Sequence, residues 1–150
     1  MPNWCENTLE IVAQDKEGVQ KIKELKEKAI NPKDKNDCDD VFQMKRFVPR
    51  PKEAEEKWYS WNCDNWGTKW DVCEQFIEDY DLDSDEYGRI VYSFLTAWSP
   101  PESFVEKLAK IYPELNFFLR YEEPGIGYSG ILRMSNGKIR TQKTIEWYDG

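Results

Sequence analysis

An α+β fold, with two helices on one face of an antiparallel sheet, is predicted by three features of this sequence. Apolar and polar residues alternate in Glu6–Ala13 and Arg89–Thr96, the period of a strand with one buried face. Val19, Ile22, Leu25 and Ala29 recur at three- and four-residue steps, the period of an amphipathic helix. Ser135-Asn136-Gly137 separates two strand-like runs, and Asn-Gly is the strongest short hairpin signal.

The first strand, Glu6–Ala13, centres on Leu9 and Ile11. Asp15 is placed to cap a helix running to about Ala29, with lysines and glutamates on its outer side. Asn31-Pro32 ends that helix, and Asp34–Asp40 is a charged loop. Val41–Val48 is a mixed segment that stops at the extended connector Pro49-Arg50-Pro51, after which Lys52–Lys57 makes one helical turn. Trp58–Asp71 holds four Trp and one Tyr, and its Asn62, Asn65 and Gly67 are turn formers. An ordered loop entering a strand near Trp70 is therefore expected, with a strand or strand-helix piece through Val72–Tyr80. In the strand Arg89–Thr96, Ile90, Tyr92, Phe94 and Thr96 share one face. Ser99-Pro100-Pro101-Glu102 has the form of an N-cap, a first-turn proline and an acidic first turn. The helix it opens carries Phe104, Val105, Leu108, Ile111 and Tyr112 and closes at Pro113. A strand at Leu115–Tyr121 and a hairpin of Gly127–Met134 with Lys138–Tyr148 complete the chain. This is the order of a split βαβ, ferredoxin-like sandwich with a Trp-rich insert and a C-terminal β-hairpin, one domain over residues 1–150.

Composition narrows the function. The apolar share is 39% and the charged share 33%, yet 15% of residues are aromatic, which disordered chains are not. Large rings must supply much of the buried area. A net charge of −8 disfavours a broad grip on nucleic-acid backbones, although Lys45, Arg46, Arg50 and Lys52 form a local basic segment. No histidine is present, which removes the usual general base and the commonest nitrogen ligand for metals. Cys5, Cys38, Cys63 and Cys73 show no C-x-x-C spacing, so no metal site, no cofactor and a reducing, cytoplasmic setting are expected. No apolar stretch is long enough to span a membrane, and no signal segment follows Met1.

The candidate ligand- or partner-binding residues are Trp61, Asn65, Trp66, Lys69, Trp70 and Asp71, with Trp98 placed to face them. Rings interleaved with amide, hydroxyl and charged groups make a stacking surface, and equally a satellite core that pins a long loop. Lys69 and Asp71, two apart, would share a strand face and suit acid–base work if desolvated; more often such a pair is an exposed ion pair. The run Asp79, Asp81, Asp83, Asp85 has no calcium-loop spacing, since Ser84 and Ile90 stand where glycine and glutamate are needed. Gly125, Gly127 and Gly130 mimic a dinucleotide fingerprint but lack the helix that must follow, and mark a bulge or close backbone approach instead.

Pro2-Asn3-Trp4-Cys5-Glu6-Asn7, Asn65-Trp66-Gly67-Thr68-Lys69-Trp70-Asp71 and Thr96-Ala97-Trp98-Ser99-Pro100-Pro101 form an ordered trio. In these motifs the chain resembles the YubB-like family of phage, prophage and plasmid proteins. The resemblance implies a ferredoxin-like fold and a mobile-element setting, and supplies no catalytic residues.

The function expected first is a non-enzymatic binding module acting through the Trp-rich surface or an acidic face on a host or phage protein. A small enzyme or ligand sensor with Lys69 and Asp71 in a Trp-lined pocket is the alternative. Single-stranded nucleic-acid binding by stacked rings is a third, opposed by the charge.

Overall fold

The alternation in the sequence builds six strands, and a computed structural model describes them within residues 2–30 and 40–147. They are β1 (Trp4–Ala13), β2 (Cys73–Asp81), β3 (Gly88–Ala97), β4 (Asn116–Glu123), β5 (Tyr128–Ser135) and β6 (Lys138–Glu146), and the helices are α1 (Lys16–Lys28), α2 (Trp58–Asn65) and α3 (Glu102–Ile111). The sheet order is β2-β3-β1-β4-β5-β6, every neighbouring pair antiparallel. β2-β3-β1-β4 with α1 and α3 is the expected split βαβ, ferredoxin-like arrangement, and the β5–β6 hairpin extends it. Asn31-Pro32, the loop from Asp34, Cys38 and Tyr148 lie outside the described residues.

Register puts the apolar positions on one face. Leu9 lies between Tyr92 and Leu119, Ile11 between Ile90 and Phe117, and Leu132 beside Leu119. Ile22 and Leu25 of α1 and Phe104 and Leu108 of α3 close over them, all fully buried. Asp15 caps α1 as expected, its Oδ1 accepting from the Gly18 amide at 2.7 Å. Asn136 and Gly137 both have positive φ, 53° and 71°, the conformation of the predicted two-residue hairpin turn. Gly130 in β5 is the expected close approach: a Cβ there would strike the Tyr121 ring and the Lys143 carbonyl. The opposite sheet face carries Glu10, Arg89 and Asp79, with Arg89 bonded to both carboxylates at 3.0 and 2.6 Å.

Three expectations need correction. Trp58–Asn65 is a helix, not a loop. Its rings at 58, 59 and 61 point around the axis with no apolar stripe, and only Asn62 is buried, so the helical period is absent from the sequence. α3 starts at Glu102 with Pro101 as its cap residue, and Ser99 caps nothing: its hydroxyl donates to the Gly67 carbonyl at 2.6 Å. Ile111 is exposed, and Ala109 takes the inward place.

The segment of residues 40–48 packs on the helix side of the sheet. Phe42 is its anchor, fully buried, 5.5 Å from Phe94 in a stacked pair, 4.7 Å from Tyr92 and 5.9 Å edge-on to Phe104. Burying such a ring contributes about 2–3 kcal/mol, enough to hold a segment with little regular hydrogen bonding. Arg46 ties the same segment to α1, its Nε donating to the Lys28 carbonyl at 3.2 Å.

Candidate functional site

The three tryptophan motifs converge on one junction at the end of the central strands. Asn7 is buried and donates through Nδ2 to the Thr96 hydroxyl at 2.9 Å and to the Cys5 carbonyl at 3.1 Å. The Thr96 hydroxyl donates to the Ser99 carbonyl at 2.7 Å, and the Thr68 hydroxyl to the Ala97 carbonyl at 2.8 Å. The Trp98 amide donates to the Asn3 carbonyl at 2.8 Å. Gly67, at φ 83°, passes so close to α3 that a Cβ would lie 3.1 Å from the Ser103 amide nitrogen. The polar members of the motifs are therefore hydrogen-bonding ties, and what they hold in place is a set of rings.

Those rings fall into two groups. Trp66 is 4% exposed, and its indole N–H donates to the Val48 carbonyl at 2.9 Å. Half-buried Trp61 meets it edge-on at 5.4 Å, and Asn65 donates back to the Trp61 carbonyl. Trp66 is core, and Trp61 packs against it. Trp58 and Trp70 are each 37% exposed and Tyr59 is 53% exposed. Trp70 lies 6.3 Å from Trp4, and the Lys69 ammonium sits 4.6 Å above Trp70 and 5.9 Å from Tyr59. Trp98, 41% exposed at φ 73°, stands apart: the Tyr128 hydroxyl donates to its carbonyl, and it lines no wall of the cavity described next.

That cavity, about 450 Å³, is walled by Trp58, Trp70, Lys45, Arg50, Asn62 and Asp71, with Trp66 contributing to its lining. A second hollow of about 330 Å³ shares Lys45, Arg50 and Trp66 and adds Arg46 and Glu55. The basic segment and the Trp segment, separate in sequence, thus form one place. Asp71 joins them: its carboxylate accepts from the amides of Met44 at 2.8 Å, Lys45 at 3.0 Å and Val72 at 2.8 Å. Burial raises its pKa above the ordinary carboxylate value, against the pull of those three N–H groups and the Lys45 charge. Asn62 is the second tie, accepting from Arg50 Nη1 at 3.0 Å and donating to the Lys69 carbonyl at 2.8 Å.

Of the residues picked from sequence, Trp66, Trp70 and Asp71 line the cavity and Lys69 lies over Trp70, with Trp61 and Asn65 behind Trp66. Trp58, Asn62, Lys45 and Arg50 were missed as its members. Lys45 and Arg50 carry a signal as a basic segment, but nothing in the spacing shows that Asp71 and Asn62 bring it to the rings. The acid–base pair of Lys69 and Asp71 is not assembled, because Asp71 is turned to backbone amides and Lys69 to two rings. Asp79 and Asp81 belong to β2, and among the described residues no group of three or more Cys, Asp or Glu could hold a metal ion. No helix among them is long and apolar enough to cross a membrane.

A family model described as the ferredoxin-like domain in Api92-like protein matches residues 65–149, more than half of the chain. The chain belongs to this family. The match begins at Asn65, the last residue of α2, and runs through the hairpin. The crystal structure of protein api92 from Yersinia pseudotuberculosis is similar in fold to this Api92-like chain, at a TM-score of 0.51 and 17% identity. The likeness covers 75% of this chain and only 40% of that one. No curated protein matches. The resemblance carried by the three motifs, to a ferredoxin-like family of phage and plasmid proteins, agrees with this assignment.

Proposed function

We propose that this Api92-like protein is a single-domain, non-enzymatic binding module that works in the cytoplasm and holds a protein partner on the shelf of Trp58, Tyr59 and Trp70. The carrying observation is that these three rings stay exposed, Trp58 edge-on to Tyr59, Trp70 on the same cavity as Trp58 and under the same Lys69 ammonium as Tyr59, while Trp61 and Trp66 supply the packing. A cluster of exposed rings beside cations is a surface built for contact, since the fold does not need it for its core. Free thiols at Cys5, Cys63 and Cys73 suit a reducing compartment.

The test is a Trp58→Ala, Trp70→Ala double variant, compared with wild type for capture of partners from host lysate and for its circular dichroism. Loss of capture by a folded variant supports the module. Undiminished capture by a folded variant overturns the shelf as the contact surface. The cavity volume also favours a small-ligand sensor as a second reading, since it falls within the range of ligand sites. A ligand that raises the melting temperature of wild type but not of the double variant would favour the sensor.

A further inference from the structure

Arg50 is held at one guanidinium nitrogen with its other edge weakly engaged. Its Nη1 is fixed by Asn62, which is itself buried and tied to the Lys69 carbonyl, so the guanidinium plane is set before any ligand arrives. The remaining edge, Nε with Nη2, is the side that matches the two oxygens of a carboxylate. Nε is buried and has no partner among the described residues, an expensive state for a charged donor. Among the described residues Nη2 reaches only Glu55, at 3.4 and 3.5 Å, and that carboxylate is largely in solvent. Glu55 is thus a loose internal stand-in on the second hollow, which shares Lys45 and Arg50 with the cavity that the two exposed indoles line.

Resting on the shelf reading above, we propose that the partner docks through an acidic residue adjacent to an aromatic one in an extended segment. Its carboxylate displaces Glu55 and lies side-on to Nε and Nη2 of Arg50, and its ring packs against Trp58 and Trp70. A carboxylate fits better than a phosphate for two reasons. The Met44 and Lys45 amides that could form an anion nest are already consumed by Asp71. Asp71 also lines the cavity in a chain of net charge −8, which opposes a dianion more than a monoanion.

The experiment follows Arg Nε–H and Trp indole signals of the ¹⁵N-labelled protein during titration with acetyl-Ser-Asp-Phe-Ser-amide, its Asn counterpart, and adenosine monophosphate. The Asp peptide is expected to shift the Arg50 Nε–H and the Trp58 and Trp70 indoles together and to saturate at millimolar concentration. The Asn peptide should bind at least about tenfold more weakly, the loss of a charge-assisted fork. Arg50→Lys should remove that preference, and Glu55→Gln should strengthen binding of the Asp peptide, the general spectrum reporting that each variant is folded. Equal effects of the two peptides, an unmoved Arg50 signal, or no response to the Asp peptide overturns the carboxylate site. Saturation by the nucleotide instead assigns the cavity to phosphate and also overturns it. Indole shifts without an Arg50 shift would leave the ring shelf standing while this proposal falls.

Discussion

Replacing Asp71 tests whether one side chain joins the basic segment to the rings. Asp71→Ala strands three amides: that of Met44 in a buried residue, that of Val72 in a half-buried one and that of Lys45 in an exposed one. A buried unpaired N–H costs about 1–3 kcal/mol and an exposed one little, so the net loss should be about 2–4 kcal/mol. Asp71→Asn keeps an oxygen for Met44 and Val72, both of which bond Oδ1, and gives up only Lys45, so about 1 kcal/mol is expected. The pH dependence carries the sharper test. Burial raises the Asp71 pKa in the folded state, so its protonated form is favoured there and ionisation weakens folding. The contribution is full below the ordinary value of 3.8 and declines as pH rises through the raised folded value. The stability gap between wild type and Asp71→Asn should therefore narrow as pH rises from 3.8 through the raised folded value and level off above it, with other carboxylates cancelling in the difference. Urea titrations of both proteins across this window, read by circular dichroism, measure it. A gap that widens with pH would refute the reasoning and mean that three amide donors outweigh the lost hydration.

Trp66→Ala should destabilise by about 3–5 kcal/mol, because it empties a core site and strands the Val48 carbonyl, whereas Trp58→Ala should change stability by about 1 kcal/mol or less. Chemical denaturation separates them, and equal losses would contradict the division into core and shelf. Gly130→Ala should disrupt β4–β5 pairing because its methyl group has no room beside Tyr121 and Lys143; loss of hydrogen-exchange protection in the hairpin reads this, and native protection would show that Tyr121 can yield. Burial pushes the Cys5 thiol up to about 12, so maleimide labelling read by peptide mass spectrometry should spare Cys5 in the folded protein while marking Cys63.

The fold was legible where local chemistry and burial agree. Strands β1 and β3 alternate because one face meets helices and the other solvent, the Asp15 cap is a short-range bond, and Asn136-Gly137 supplies the positive φ its turn demands. α2 was not legible, because Trp58, Tyr59 and Trp61 do not form a stripe and the helix buries only an asparagine. The site was half legible. Its rings stand out in composition, but its cations are recruited by Asp71 and Asn62 across 26 or 27 and 12 residues, a relation no periodicity encodes. Trp98 was grouped with the cavity because it ends a strand that could face the Trp segment, but its position is set by backbone bonding to Asn3.

The Asn7–Thr96 bond closes a span of 89 residues, and the whole ring-bearing segment lies inside that closed span. Chain-closure entropy rises only with the logarithm of length, so doubling a flexible loop costs about 0.6 kcal/mol. The sheet can therefore form around inserts of very different size with nearly the same stability. The exposed stretch of residues 51–60 can therefore change length at little cost to β1, β3 or β4, provided Phe42, Trp66 and Thr68 keep their places against the sheet.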